Sequence, residues 1–425
     1  MRKIKTRYAL FDAFLYLCAL LSGLVPRYIL NFKIPIGMGV SMFTVAVMFT
    51  WMLFARRIIV YKRIECFLFI VWFLLITGAV WRAGRLGIWA SYAVWITTAI
   101  LFVQILYNKA NANSFEIIVR AIVDALFIQL LIGLREIRTH HYYFEVGSTS
   151  PRLYGNVAIS MFHNLNDYAT FVVTILPFAV YLLLTRKAPL LRIYYLFICA
   201  ASVFLALRSE SRGAILGLAL IVATVLFLFL CKPGKSRLFG TAVILLPILI
   251  LLLSPIARES VFSWIEVAMS DRSGNSNQTR INLILNGLYF LRRTYGFGVG
   301  AGNLYQWFIE KAIYPIYGVY YMHNWYLEIA VTFGLAFFAL YMCFHIKVII
   351  SLWKNFRKKR EIWTVNNALL ISFVAFSLAS ISSSSNVYSE WVWMYLAFIA
   401  TFVLRHKKRL LPLRTLMAAR RENGS

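Results

Sequence analysis

The sequence predicts an all-α polytopic membrane protein of about twelve transmembrane helices, with a large helical loop on one face. Three observations predict it. Of 425 residues, 61% are hydrophobic, and mean hydropathy is +0.72, outside the range of soluble globular domains. Apolar runs long enough to cross a bilayer recur along the whole chain. Lys and Arg cluster at every second connection, as retention of basic residues on the cytoplasmic side requires.

The first span, near 9–25, follows Arg2, Lys3, Lys5 and Arg7, which hold the N-terminus in the cytoplasm. Asp12 interrupts its apolar stretch and no small-residue cleavage site follows, so it reads as a retained span rather than a signal peptide. Spans near 35–54 and 66–80 flank the basic turn of Arg56, Arg57, Lys62 and Arg63. Spans near 88–107 and 117–134 lead to a polar outer segment, 135–166, too long to be a mere connector. Spans near 167–185, 193–207, 213–230 and 238–257 then alternate across the cytoplasmic turns Arg186/Lys187/Arg192 and Lys232/Lys235/Arg237.

A second long outer segment, 258–326, carries two helical patterns. Val261, Phe262, Trp264, Ile265, Ala268 and Met269 make one apolar face, suited to the membrane surface or the bundle. Thr279 before Arg280, with Ile281, Ile284, Leu285, Leu288 and Leu291 following, reads as an N-cap and a second amphipathic helix. Spans near 327–349, 366–382 and 391–404 complete the twelve, around the basic stretch from Lys354 to Arg360 and before a basic cytoplasmic tail, 405–425. The whole chain, 1–425, thus forms a single integral membrane domain with both termini cytoplasmic.

In this orientation roughly +23 of the formal net charge of +28 falls on the cytoplasmic face, where topology and anionic lipid account for it without nucleic acid. The five cysteines, Cys18, Cys66, Cys199, Cys231 and Cys343, lie in spans or at cytoplasmic ends, with no metal-ligand spacing and no extracytoplasmic disulfide.

Residues able to carry chemistry gather on the outer side. Arg208 and Arg212 bracket a turn, Arg208-Ser-Glu-Ser-Arg212-Gly213, between two spans with no room for a loop. A guanidinium there offers a planar fork of donors to phosphate oxygens at any working pH. An ion pair with Glu210, or snorkelling to lipid phosphate, is the alternative use. Arg280 stands near a predicted helix start, where free N–H groups already favour an anion. Arg292 and Arg293 suit lipid headgroups or a diphosphate at the far end of that helix, where a basic pair also complements the dipole. His323 and Asn324 close the long segment just before a span; an imidazole of ordinary pKa near 6.5 takes a proton from a hydroxyl near neutrality. His140, His141 and His163 share the outer side, while His345 and His406 lie toward the cytoplasm and read as incidental.

Other chemistries lack their residues. Gly296-Phe-Gly-Val-Gly-Ala-Gly302 has no Gly-Lys-Ser/Thr after it and no strand before it, and reads as a flexible turn rather than a nucleotide loop. Asp-x-Asp, His-Glu-x-x-His and clustered carboxylates are absent, which argues against a metal-dependent transferase or protease. A polytopic transporter or lipid-linked glycan flippase is the rival reading; the lack of an internal repeat and the elaborated outer loop count against it.

In order and spacing these residues resemble the O-antigen ligase and polysaccharide polymerase family of bacterial inner membranes. The resemblance rests on Ser211-Arg212-Gly213, then Arg280, then Gly298-Val-Gly-Ala-Gly302-Asn303, then His323-Asn324-Trp-Tyr-Leu-Glu328 with Gly334 beyond it. Weaker pieces are Arg152-Leu-Tyr-Gly155, Asn164-Leu-Asn166-Asp167 and Ser383 to Asn386; Leu165 stands where the family has proline, and Tyr321-Met322 stand where some ligases have a second histidine. The match runs from about 150 to 404. It implies a membrane-embedded glycosyltransferase of the C class that takes a glycan from undecaprenyl diphosphate and passes it, with inversion and without metal, nucleotide or other cofactor, to an acceptor hydroxyl on the outer face. The acceptor is another glycan or a lipid A core sugar. The resemblance makes His323, Arg212 and Arg280 the catalytic residues, with Arg208, Asn324, Arg292 and Arg293 available to bind substrate.

Overall fold

The computed structural model describes residues 2–24, 86–110, 112–142, 157–162, 164–209, 211–232, 276–359, 361–381, 383 and 389–405, with single positions at 45, 47 and 50. The predicted spans near 35–54, 66–80 and 238–257, the amphipathic pattern at 261–269, Glu210, His163 and the tail beyond 405 lie outside the described residues.

Every regular element among the described residues is helical. They are α1 (Arg2–Leu24), α2 (Leu86–Lys109), α3 (Ala112–Thr139), α4 (Leu165–Thr185), α5 (Pro189–Arg208) and α6 (Arg212–Cys231). Then come α7 (Ser276–Arg293), α8 (Leu304–Lys311), α9 (Trp325–Phe333), α10 (Leu335–Lys359), α11 (Val365–Ala379) and a last helix, α12, over 390–405. Among the described residues, five helical stretches are long and apolar enough to cross a membrane: Asn113–Thr139, Leu165–Thr185, Pro189–Arg208, Arg212–Cys231 and Leu335–Lys358. The chain is therefore a polytopic helical membrane protein.

The centre of the bundle is α11 between α4 and α6. Its residues Asn366 to Ala379 are buried on almost every side, as expected of a helix apolar all round. Both neighbours run antiparallel to it. Thr170 of α4 donates to the Ala379 carbonyl at 3.2 Å, and Ser372 donates to the Thr174 carbonyl at 2.6 Å. On α6, Gly217 faces Ala379 and the Ala375 carbonyl, while Phe229 lies by Trp363 at the other end. A Cβ on Gly217 would come within 2.6 Å of Val173, so the glycine sets the close approach of α4 and α6.

The apolar stretch 327–349, expected as one span, is two helices. Gly334 adopts φ +89, a left-handed backbone open to glycine, and ends α9 there. α10 then folds back along α9, so that Tyr341 packs on Trp325, with ring centroids 5.7 Å apart, and His345 packs on Tyr326. In a continuous helix Trp325 and Tyr341 would stand about 24 Å apart.

The glycine run expected to be a flexible turn is docked on this break and buried from Gly298 onward. Val299 and Gly300 donate to the carbonyls of Val331 and Thr332, at 2.7 and 3.0 Å, and Leu335 donates to Gly296 at 2.8 Å. The carbonyls that a helix end leaves open are thus satisfied by the loop. At Gly298, φ +82, a Cβ would lie 2.5 Å from the Gly334 nitrogen; no side chain fits there.

Three further expectations shift. α7 begins at Ser276, so Thr279 lies within its first turn rather than capping it, and Gln278 bonds Asn282 one turn on. The outer segment predicted from 135 starts later, since α3 continues to Thr139. Within 258–326, the described part holds α7 and α8 on a small core of their own: Leu283, Phe290, Val299, Leu304, Phe308 and Met322.

Candidate functional site

Three helices begin at one level of the bundle, and each beginning is capped by its own sequence. Asn164 caps α4, accepting from the Asn166 amide at 2.7 Å. Ser211 caps α6, accepting from Ala214 at 3.4 Å, and Arg212 is the first helical residue. Asn324 caps α9, accepting from Leu327 at 3.1 Å.

The end of α11 fixes their common level. The Ser380 carbonyl accepts the Trp325 amide at 3.3 Å, which sets the start of α9 beside it. Asp167, in the first turn of α4, accepts a hydrogen bond from Ser383 just beyond α11. Gly217 faces Ala379, and Arg212 lies five residues nearer the start of α6, about 7.5 Å along the axis. Arg212 and His323 therefore both border the end of α11.

Arg280 reaches the same level along α7. Gly287 packs on Met322, Leu327 and Val331 of the α9 region. Seven residues earlier, Arg280 lies on nearly the same face of α7, about 10 Å toward the segment holding His323. Arg212, Arg280 and His323 are all half-buried.

His323 itself has φ +48, a left-handed conformation uncommon for a residue with a side chain. Such strain persists where surroundings over-determine it, and here buried Met322 precedes it and the Asn324 cap follows. Helix N-termini carry about half a positive charge each. The starts of α4 and α6 with the Arg212 and Arg280 guanidiniums offer positive charge to an anion such as phosphate, set against the Asp167 and Glu328 carboxylates in the first turns of α4 and α9.

Not every predicted residue joins this level. Arg292 and Arg293 are exposed at the opposite end of α7, about 18 Å along the axis from Arg280. Arg293 lies over the Tyr289 ring, at 5.8 Å, and donates to its hydroxyl. Arg208 ends α5, exposed, one short turn from Arg212.

Two groups near the site stand in the sequence motifs without a role assigned there. Asp167 and Glu328 are buried carboxylates in the first turns of α4 and α9, 5% and 1% exposed. The available signal was an acidic residue inside an apolar run, which membrane burial makes costly. His345, read as incidental, is buried between α10 and α11 and bonded on both ring nitrogens.

A family profile described as O-antigen ligase matches residues 196–342, a region that holds Arg208, Arg212, Arg280, Arg292, Arg293, His323 and Asn324. Over 353 residues the chain is also similar, at 27% identity, to the teichuronic acid biosynthesis protein TuaE of Bacillus subtilis (strain 168), across 80% of this chain and 72% of the relative. Motifs, profile and relative thus agree in a likeness to O-antigen ligases and a teichuronic acid biosynthesis protein.

Proposed function

We propose that this protein transfers a glycan from undecaprenyl diphosphate to an acceptor hydroxyl at the outer face of the cytoplasmic membrane. The observation that carries the reading is the shared level of Arg212, Arg280 and His323 beside three capped helix starts. The acceptor oxygen attacks the anomeric carbon as the bond from that carbon to the diphosphate oxygen breaks. The electron pair leaves with the lipid diphosphate, whose growing charge Arg212 and Arg280 neutralise. His323 orients the acceptor hydroxyl and takes its proton. Attack opposite the leaving group inverts the anomeric centre. The charge that a metal ion neutralises in other transferases falls here to guanidiniums and helix dipoles. Arg208 and Asn324 serve the substrate at the rim and through the His323 backbone; Arg292 and Arg293 face lipid headgroups. Of the two acceptors, the relative's name, teichuronic acid biosynthesis, favours building a glycan chain over attachment to a lipid A core.

The test uses purified protein with lipid-linked glycan extracted from a strain lacking this chain. Arg212→Ala, Arg280→Ala and His323→Ala should each lower transfer about a hundredfold or more, with wild-type activity surviving a metal chelator. Full transfer by the triple variant would sink the mechanism. Movement of the lipid-linked glycan across vesicles by a wild-type protein that transfers nothing would favour a flippase instead.

A further inference from the structure

The bundle contains a polar chain that the transfer reading leaves unused. The Trp325 indole N–H donates to the Tyr341 hydroxyl oxygen at 2.7 Å. That hydroxyl lies 3.3 Å from Nδ1 of His345, whose Nε2 lies 2.9 Å from Oγ of Ser377. Ser377 in turn donates to the Phe373 carbonyl at 2.7 Å.

One hydrogen at each link gives the series a consistent direction. With the single Ser377 hydroxyl proton on Phe373, the shorter of its two contacts at 2.7 against 2.9 Å, Ser377 accepts from His345. Nε2 of His345 therefore carries the proton and Nδ1 accepts from Tyr341, which is left with a lone pair for Trp325. The imidazole is neutral, protonated on Nε2, and every member has its partner. In an apolar interior, a series satisfied throughout is stiff, and one broken link strands a buried polar group.

The chain ends where positioning matters. Trp325 is 1% exposed and follows Asn324, so it lies two residues from His323. Its amide bond to Ser380 is long, at 3.3 Å, and the indole bond supplies a second point of attachment. Tyr326 adds a third tie from the same turn, donating to the Ser377 carbonyl at 3.0 Å.

We propose that His345 is a positioning residue: through Tyr341 and Trp325 it straps the first turn of α9 to α10 and α11 and so holds His323 at its working position. The consequence for transfer rests on the proposed function, whereas the strap itself does not.

Two variants and two readouts test it on the full-length protein. His345→Gln keeps one acceptor and one donor about as far apart as the ring nitrogens; His345→Phe keeps an aromatic ring and removes both. Amide hydrogen exchange across 321–327 should quicken about tenfold in His345→Phe while 212–231 stays unchanged, and His345→Gln should restore most of the protection. With lipid-linked glycan extracted from a strain lacking this chain, His345→Phe should lower kcat about tenfold with KM for the glycan nearly constant, and the glutamine variant should recover to within about threefold. Trp325→Phe, which removes the donor at the other end together with part of a buried ring, should reproduce the exchange and kcat changes, and the double variant with His345→Phe should fall clearly short of the sum of the two single effects. Unchanged exchange at 321–327 in His345→Phe overturns the strap. So does a general loss of protection or equal failure of the glutamine variant, since either assigns His345 to bundle packing alone. Quickened exchange in a protein whose wild type transfers no glycan leaves the strap standing and refutes the functional reading.

Discussion

The central bundle and the 276–334 cap are held together by different means. In the bundle, α4, α6 and α11 meet through buried apolar side chains, with small residues such as Gly217 and Ala379 where backbones approach. In the cap, α8 and α9 are short, at 8 and 9 residues, and backbone geometry decides. Gly296, Gly298, Gly300, Gly302 and Gly334 all have positive φ, and asparagine amides replace missing secondary structure. Asn286 alone accepts from the amides of Ile313 and Tyr314 and donates to the Tyr314 carbonyl. A core built on volume tolerates substitutions that conserve volume, whereas one built on left-handed residues and single amides depends on particular residue types. The proposed site lies where the two meet, with the bundle supplying helix ends and the cap carrying Arg280 and His323.

The sharpest way to break this contrast is at the hairpin. Gly334→Ala puts a Cβ 2.5 Å from the Phe297 carbonyl oxygen on a backbone of φ +89, and should cost on the order of 3 kcal/mol or more in thermal unfolding of the detergent-solubilised protein. Wild-type stability there would mean that the cap does not rest on its backbone. Asn286→Ala comes next, at about 2 kcal/mol, because two amides and a carbonyl lose their partner together. Hydrogen exchange should quicken at 312–316 and leave α11 untouched. Gly217→Ala measures the bundle by the same scale. The obstacle is a valine methyl 2.6 Å away, which can shift where a carbonyl cannot, so about 1 to 2 kcal/mol is expected, and a larger loss than at Gly334 would invert the comparison. Arg293→Ala removes only an exposed bond and stacking contact to Tyr289, and unfolding should move by about 0.5 kcal/mol or less.

What the sequence announced and what it hid follow the same division. The start of α6 was legible because Ser211 caps, Arg212 opens the helix and an apolar run follows, all within a few residues. The ends of α4 and α5 were legible for the same local reasons. The hairpin at Gly334 was not: residues 329–344 are apolar but for Thr332, and the turn depends on bonds from Val299 and Gly300, more than thirty positions away. His345 looked incidental because only Tyr341 is its neighbour along the helix, while Ser377 and Trp325 reach it through the fold. Arg212, Arg280 and His323 were each visible as residue types. Their common level required knowing that α6 and α11 run antiparallel and that Gly287 rests on Met322.

Because α9 and α10 run in opposite directions through one largely apolar stretch, hydropathy misjudges where that stretch passes from one compartment to the other. Nine of its residues, Trp325–Phe333, lead back toward the side they came from, and the passage begins at Leu335. A reporter enzyme joined after His323 and another joined after Gly334 would accordingly signal the same compartment, and only fusions well along α10 would signal the opposite one. For insertion during synthesis, the translocation machinery meets a segment greasy enough to be taken for a span that must nevertheless be released to the side it came from before its successor is threaded.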